Sequence, residues 1–102
     1  KIVARFRQAV NAEVLRQRAV IAYDIDEYDE RFLRHLALGY TKDMIASLHT
    51  MPFSPKSLEK RQADLIGRLF SENEQRGVNV TRLVVRAIEL HIIEPCNLVA
   101  DD

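Results

Sequence analysis

One stretch of the chain concentrates the side chains suited to recognition chemistry. From Ser54 onward, Lys56, Ser57, Lys60, Asp64 and Arg68 fall on one side of a helical projection, with Arg61 on its flank. Lysines and arginines at this spacing can neutralise phosphates or reach guanine edges, and a short hydroxyl such as Ser57 can fix register. Such a face suits a groove about 12 Å wide. Thr41 and Lys42 lie just upstream, where free N–H groups and the helix dipole favour an anion; Thr41 serves equally as a simple cap. Other reactive types are less well arranged. His35, His49 and His91 have no metal-ligand spacing and no cysteine partner, and read as ordinary helix or turn residues. The carboxylates of Asp24, Asp26, Glu27, Asp29 and Glu30 lack the alternating ligands and central glycine of a calcium loop, and read as a solvated helix start. No nucleophile elbow, phosphate loop or dinucleotide fingerprint occurs, so no catalytic residue, cofactor or metal is expected, and no enzyme.

The elements that position these residues are helical. Three glycines and three prolines punctuate the chain, and the apolar residues between them recur with helical rather than alternating period. Residues 2 to about 22 carry Ile2, Val3, Phe6, Val10, Val14, Val20 and Ile21 on one side, with Arg5, Gln8, Asn11 and Arg16 opposite. Glu13 and Gln17 interrupt that stripe, which argues against a long coiled coil and leaves a linker or short dimerisation helix over 1–25. A second helix starts near Asp26, buries Tyr28, Phe32, Leu33, Leu36 and Ala37, and closes at Gly39 as its left-handed residue. Thr41 caps a short helix with Met44, Ile45 and Leu48 on its apolar face. Ser54 before Pro55 starts a longer one with Leu58, Leu65, Ile66 and Leu69 inward. Asn79 caps the last helix, carrying Leu83, Val84, Ala87, Ile88 and Ile92 up to Pro95, and 95–102 reads as a loose tail. The expected class is all-α, with a single domain over 26–94.

The short helix from Thr41, the turn and the helix from Ser54 have the layout of a helix-turn-helix. Three blocks sharpen that pattern. LRHLALGYTKDMIASL at 33–48, SPKSLEKRQADLIGRL at 54–69 and GVNVTRLVVRAIELHII at 77–93 together resemble the DNA-binding domain of LuxR-type regulators, also called NarL/FixJ or GerE-like. Gly39, Thr41, Ile45, Ala46 and Leu48 stand at the expected places, as do Gly77, Val78, Asn79, Leu83, Val84 and Ala87; Ser57-Leu58 stands where the family usually has Thr-Val. The resemblance implies a four-helix domain that binds double-stranded DNA as a homodimer, with residues 54–70 in the major groove and Leu83, Val84, Ala87 and Ile88 pairing two protomers. It also implies a bacterial cytoplasmic setting at the nucleoid, an upstream receiver or sensor domain, and contact with RNA polymerase. The chain departs from the family in a turn about two residues longer at 49–53, an insertion at 71–76, and Glu59 where many members have Lys.

Composition bounds these expectations. The 102 residues carry 15 Lys plus Arg against 15 Asp plus Glu, for a net charge of zero, which opposes indiscriminate coating of nucleic acid or membrane. The neutrality is segregated: 1–22 has five basic residues to one acidic, 23–40 two to five, 41–70 five to three, and 71–102 three to six. The lone Cys96 allows no internal disulfide and fits a reducing cytosol. No apolar run approaches the roughly 20 residues of a membrane span. The chain opens at Lys1 without an initiator Met or signal peptide, as expected of a fragment of a longer protein. Two other functions fit the same helices: a protein-interaction or dimerisation module without DNA binding, and a sigma-factor-like promoter-reading region.

Overall fold

The computed structural model describes the backbone of residues 2–101 and the side chains of 11–96 and 98–101. Five helices run in order: α1 Ile2–Ala22, α2 Glu27–Ala37, α3 Lys42–Ala46, α4 Pro55–Leu69 and α5 Val80–Glu89, followed by a 3₁₀ turn at Pro95–Asn97. All regular structure among the described residues is helical, as the periodicity predicts.

Local chemistry sets the helix starts. Asp26 accepts from the Asp29 N–H at 2.7 Å while the Asp29 carboxylate accepts from the Asp26 N–H at 3.2 Å, a reciprocal box that satisfies two donors at the start of α2. The expected caps Thr41, Ser54 and Asn79 accept from the N–H groups of Met44, Ser57 and Arg82 at 3.2, 3.2 and 2.9 Å.

Three helix ends share one device. After α1, α2 and α5, a residue with positive φ (Asp24 at 54°, Gly39 at 91°, His91 at 64°) reverses the chain. The N–H of the next residue, Ile25, Tyr40 or Ile92, then bonds the carbonyl five residues earlier at 2.9 to 3.0 Å. Gly39 plays the role expected of it. The end of α5 corrects the expectation built on Pro95: the helix stops at Glu89, and Ile92 is buried as the apolar residue after the reversal rather than as part of the helix.

Packing joins α2 to α5, α3 to α4 and α4 to α5. Phe32 and Leu33 of α2, Ile45 of α3, Leu58 and Leu65 of α4, and Leu83 of α5 meet in the core with no exposed surface. The long turn between α3 and α4 contributes too: Met51 is wholly buried, and Phe53 packs edge-on against Tyr28 with ring centroids 5.2 Å apart. Met51 and Phe53 thus make this turn part of the core, while His49 and Pro52 stay exposed.

The stripe expected along α1 is only partly used. Ile2, Val3, Phe6 and Val10, and the opposing Arg5 and Gln8, have side chains outside the described residues. Of the rest, Ala19 is buried and Val20 leans on the core, while Val14 and Ile21 face solvent, Ile21 at 82% exposure. The reversal at Asp24 turns the last part of α1, around Ala19 and Val20, onto the domain.

Two substitutions in α4 should separate packing from propensity. Leu65→Ala removes a wholly buried side chain and should cost about 2–5 kcal/mol. Gly67 is exposed, helical and has nothing within 4 Å of an added Cβ, so Gly67→Ala should stabilise by about 0.5–1 kcal/mol. Denaturant midpoints of the two variants against wild type check both signs.

Candidate functional site

Starting from the Ser54 cap, α4 presents Lys56, Ser57, Glu59, Lys60, Ala63, Asp64, Gly67 and Arg68 to solvent, while Leu58, Leu65 and Leu69 hold its other side in the core. Ser57 also receives the Ser54 hydroxyl bond at 3.1 Å, so its side chain is fixed at the first turn. Between this face and the start of α2 lies an open cleft of about 330 Å³. It brings together Ser57, Lys60, Arg61, Asp64 and Arg68 of the expected contact set with Asp26, Asp29 and Phe53. Lys56, Thr41 and Lys42 lie outside the cleft lining; Thr41 is an N-cap, and Lys42 is half-buried at the start of α3.

The cleft holds an ion network that alters the roles of two arginines. Arg61 stacks over the Phe53 ring at 4.6 Å and donates from Nη1 to Asp29 Oδ1 at 2.7 Å, with Asp26 Oδ1 at 3.3 Å. Arg68, two turns along the same side, donates from Nη1 to Asp29 Oδ2 at 3.2 Å and to the Asp24 carbonyl at 2.9 Å. Asp29 itself is 2% exposed. A buried carboxylate requires compensating donors, and these two guanidiniums supply them. Arg61 and Arg68, expected as DNA contacts, are thus primarily partners of Asp29. The cations of the outer face without an ion-pair partner among the described residues are Lys56 and Lys60.

Asp29 also corrects the view of residues 24–30 as a purely solvated helix start. A sequence signal for it exists: Asp29, Phe32, Leu33 and Leu36 are spaced as one face of a helix, the face that enters the core. Burial works against the charge of Asp26, but the Asp29 N–H and the charge and hydrogen bond of Arg61 outweigh it and hold its carboxyl below the usual aspartate value. For Arg61, burial works against the charge, and the carboxylates of Asp29 and Asp26 prevail, raising its value.

The expected dimer contacts need revision as well. Leu83 and Ala87 have no exposed surface, and Val84 and Ile88 lie partly buried against the core. What α5 offers outward is Thr81, Arg82, Val85 and Glu89. The inserted 71–76 segment is a turn closed by Glu74 and Gln75 N–H bonds to the Ser71 carbonyl, and Glu74 pairs with Arg86 of α5. Among the described residues no three His, Cys, Asp or Glu side chains gather to hold a metal ion, and no helix is long and apolar enough to cross a membrane.

Residues 1–102 match a protein family described as a family of unknown function, DUF5932. The chain belongs to that family. No curated protein and no solved structure shows a significant match. Membership assigns no activity to the DUF5932 domain.

The ion network makes two linked predictions. Arg61→Ala leaves Asp29 buried with one guanidinium and should destabilise by about 1–3 kcal/mol, whereas Lys60→Ala on the open side of the cleft should change stability by less than about 0.5 kcal/mol. Asp26 titrates lower in the folded chain than in the unfolded one, so its contribution is present above about pH 4 and lost as pH falls through the folded value. Denaturant unfolding from pH 7 to 2.5 should therefore show an acid loss that is smaller in Arg61→Ala than in wild type.

Proposed function

We propose that this domain binds double-stranded DNA in a sequence-specific way, as the effector part of a bacterial transcription regulator of LuxR-like type, by binding rather than catalysis. The observation that carries the proposal is the arrangement of α3 and α4. They pack together across a turn anchored by Met51, and α4 projects Lys56, Ser57 and Lys60 from a face the core does not use. The three sequence blocks that resemble LuxR-type domains support it. In this reading Lys56 and Lys60 neutralise phosphates or reach base edges, Ser57 sets register, and Asp64 lies farther along the same face. Arg61 and Arg68 act by fixing α4 against α2. Thr41 and Lys42 sit at the start of α3 as candidate backbone contacts. Two protomers pair through the outer side of α5, with Val85 in place of the buried Leu83 and Ala87.

A second reading is a protein-interaction module. Three cations and three carboxylates balance in the cleft, which weakens any net pull on a polyanion, and Val14, Leu15 and Ile21 of α1 are exposed apolar side chains.

Duplex affinity across a salt series distinguishes the two. The double variant Lys56→Ala, Lys60→Ala should weaken binding to all duplexes and lower the slope of log affinity against log salt by about 1 per lysine removed, with unfolding midpoints unchanged. Equal slopes for wild type and variant, or no salt-dependent binding by wild type to any duplex, favours the interaction module.

A further inference from the structure

His35, on the inner side of α2, is wholly buried, and each of its ring nitrogens has one partner. Nδ1 lies 2.7 Å from the Arg31 carbonyl oxygen, which can only accept, so Nδ1 carries the hydrogen. Nε2 then has a free lone pair, and the backbone N–H of Asp101 donates into it at 2.8 Å. This set of bonds exists only for the neutral ring. The same terminal segment is held by its other groups. The Asp101 carboxylate accepts from the Thr50 hydroxyl at 2.7 Å and from Arg34 at 3.1 Å, Arg34 also bonds the Val99 carbonyl, and Leu98 leans on the core. The expectation of a loose tail is corrected up to Asp101. Thr50 belongs to the turn that leads into α4, so this strap connects α2 to that turn.

We propose that residues 98–101 form a proton-sensitive latch: docked across α2 and the turn before α4 while His35 is neutral, and released when His35 takes up a second proton. A hydrogen on Nε2 would point at the Asp101 N–H, replacing a bond with two facing donors. The charged ring would also enter a wholly buried site beside the guanidiniums of Arg31 and Arg34, which are paired with Glu27 and Glu30 of α2 and with the Asp101 carboxylate of the strap, so it would bring a buried charge with no carboxylate of its own. The remaining titratable neighbour, Tyr40 after α2, stands edge-on with its ring centroid 5.1 Å away. Burial works against ionisation of Asp101, but the bonds from Thr50 and Arg34 and the charge of Arg34 outweigh it and hold its carboxyl below the usual value. The strap's own carboxylate is therefore held in its ionised form, and the protonation that docking forbids is that of His35 Nε2. The sign follows from the bonds: the docked state accepts only the neutral ring, so docking is favoured at high pH and lost on acidification once Nε2 is protonated. This latch stands apart from the DNA-binding proposal, since neither its parts nor its readout involve DNA.

Residue-resolved NMR on the whole chain tests it. The Asp101 amide should be protected from exchange at pH 8. Below the midpoint of the His35 ring shifts, its opening constant should rise about tenfold per pH unit while the Leu58 and Leu65 amides stay protected. Asp101→Pro, which removes both the donor N–H and the carboxylate, should leave the Thr50 and Arg34 side-chain signals at their released positions at every pH. His35→Phe should abolish the pH-dependent step. An Asp101 amide that stays protected after the His35 ring has titrated overturns the latch. So does release that coincides with loss of core protection, or the same pH step persisting in Asp101→Pro.

Discussion

The buried carboxylate of Asp29 is the constraint around which α4 is set. α2 packs on α5, and α4 packs on α3 and α5, but across the cleft α2 and α4 are tied by ions. Asp29 caps its own helix and accepts from Arg61 and Arg68, which stand seven residues apart on α4, two turns along one side. A carboxylate with almost no contact with water needs these donors, so the rotation of α4 about its axis is restricted by electrostatics as well as by Leu58 and Leu65. Phe53, under the Arg61 guanidinium and against Tyr28, completes the brace.

That brace divides the charge of α4 by role. A list of its cations treats Lys56, Lys60, Arg61 and Arg68 alike. In the folded chain the planar, multiply donating guanidiniums face inward to Asp29, where forked geometry is useful, and the lysines remain outward as solvated point charges. The modest positive surplus of residues 41–70 is reduced further at the surface, because α2 brings Asp26 to the edge of the same cleft.

α2 has a comparable part on its other flank. Arg31, Arg34 and His35 receive the terminal strap there, through Asp101, and reach Thr50 in the turn before α4. The turn is thereby held from two directions, by Met51 in the core and by Thr50 in the strap. The turn supplies Met51 to plug the core and Phe53 to pack on Tyr28.

What could be read from residue order was local. The caps at Thr41, Ser54 and Asn79, the reversal at Gly39 and the inward faces of α2 and α4 depend on groups a few residues apart, and propensity, capping and periodicity act at that range. The all-α class follows from them. Three things were decided only in the tertiary structure. Asp29 meets Arg61 and Arg68 across 32 and 39 residues, and Asp101 meets His35 across 66. Leu83 and Ala87 are withdrawn from any surface because α5 packs on both α2 and α4. α5 ends at Glu89 rather than near Pro95, because reversal at His91 buries Ile92 in a core whose position no local pattern specifies. In each case the deciding term is burial: whether a charge or an apolar group leaves water depends on what distant chain covers it, and its partners are then dictated by that loss of solvent.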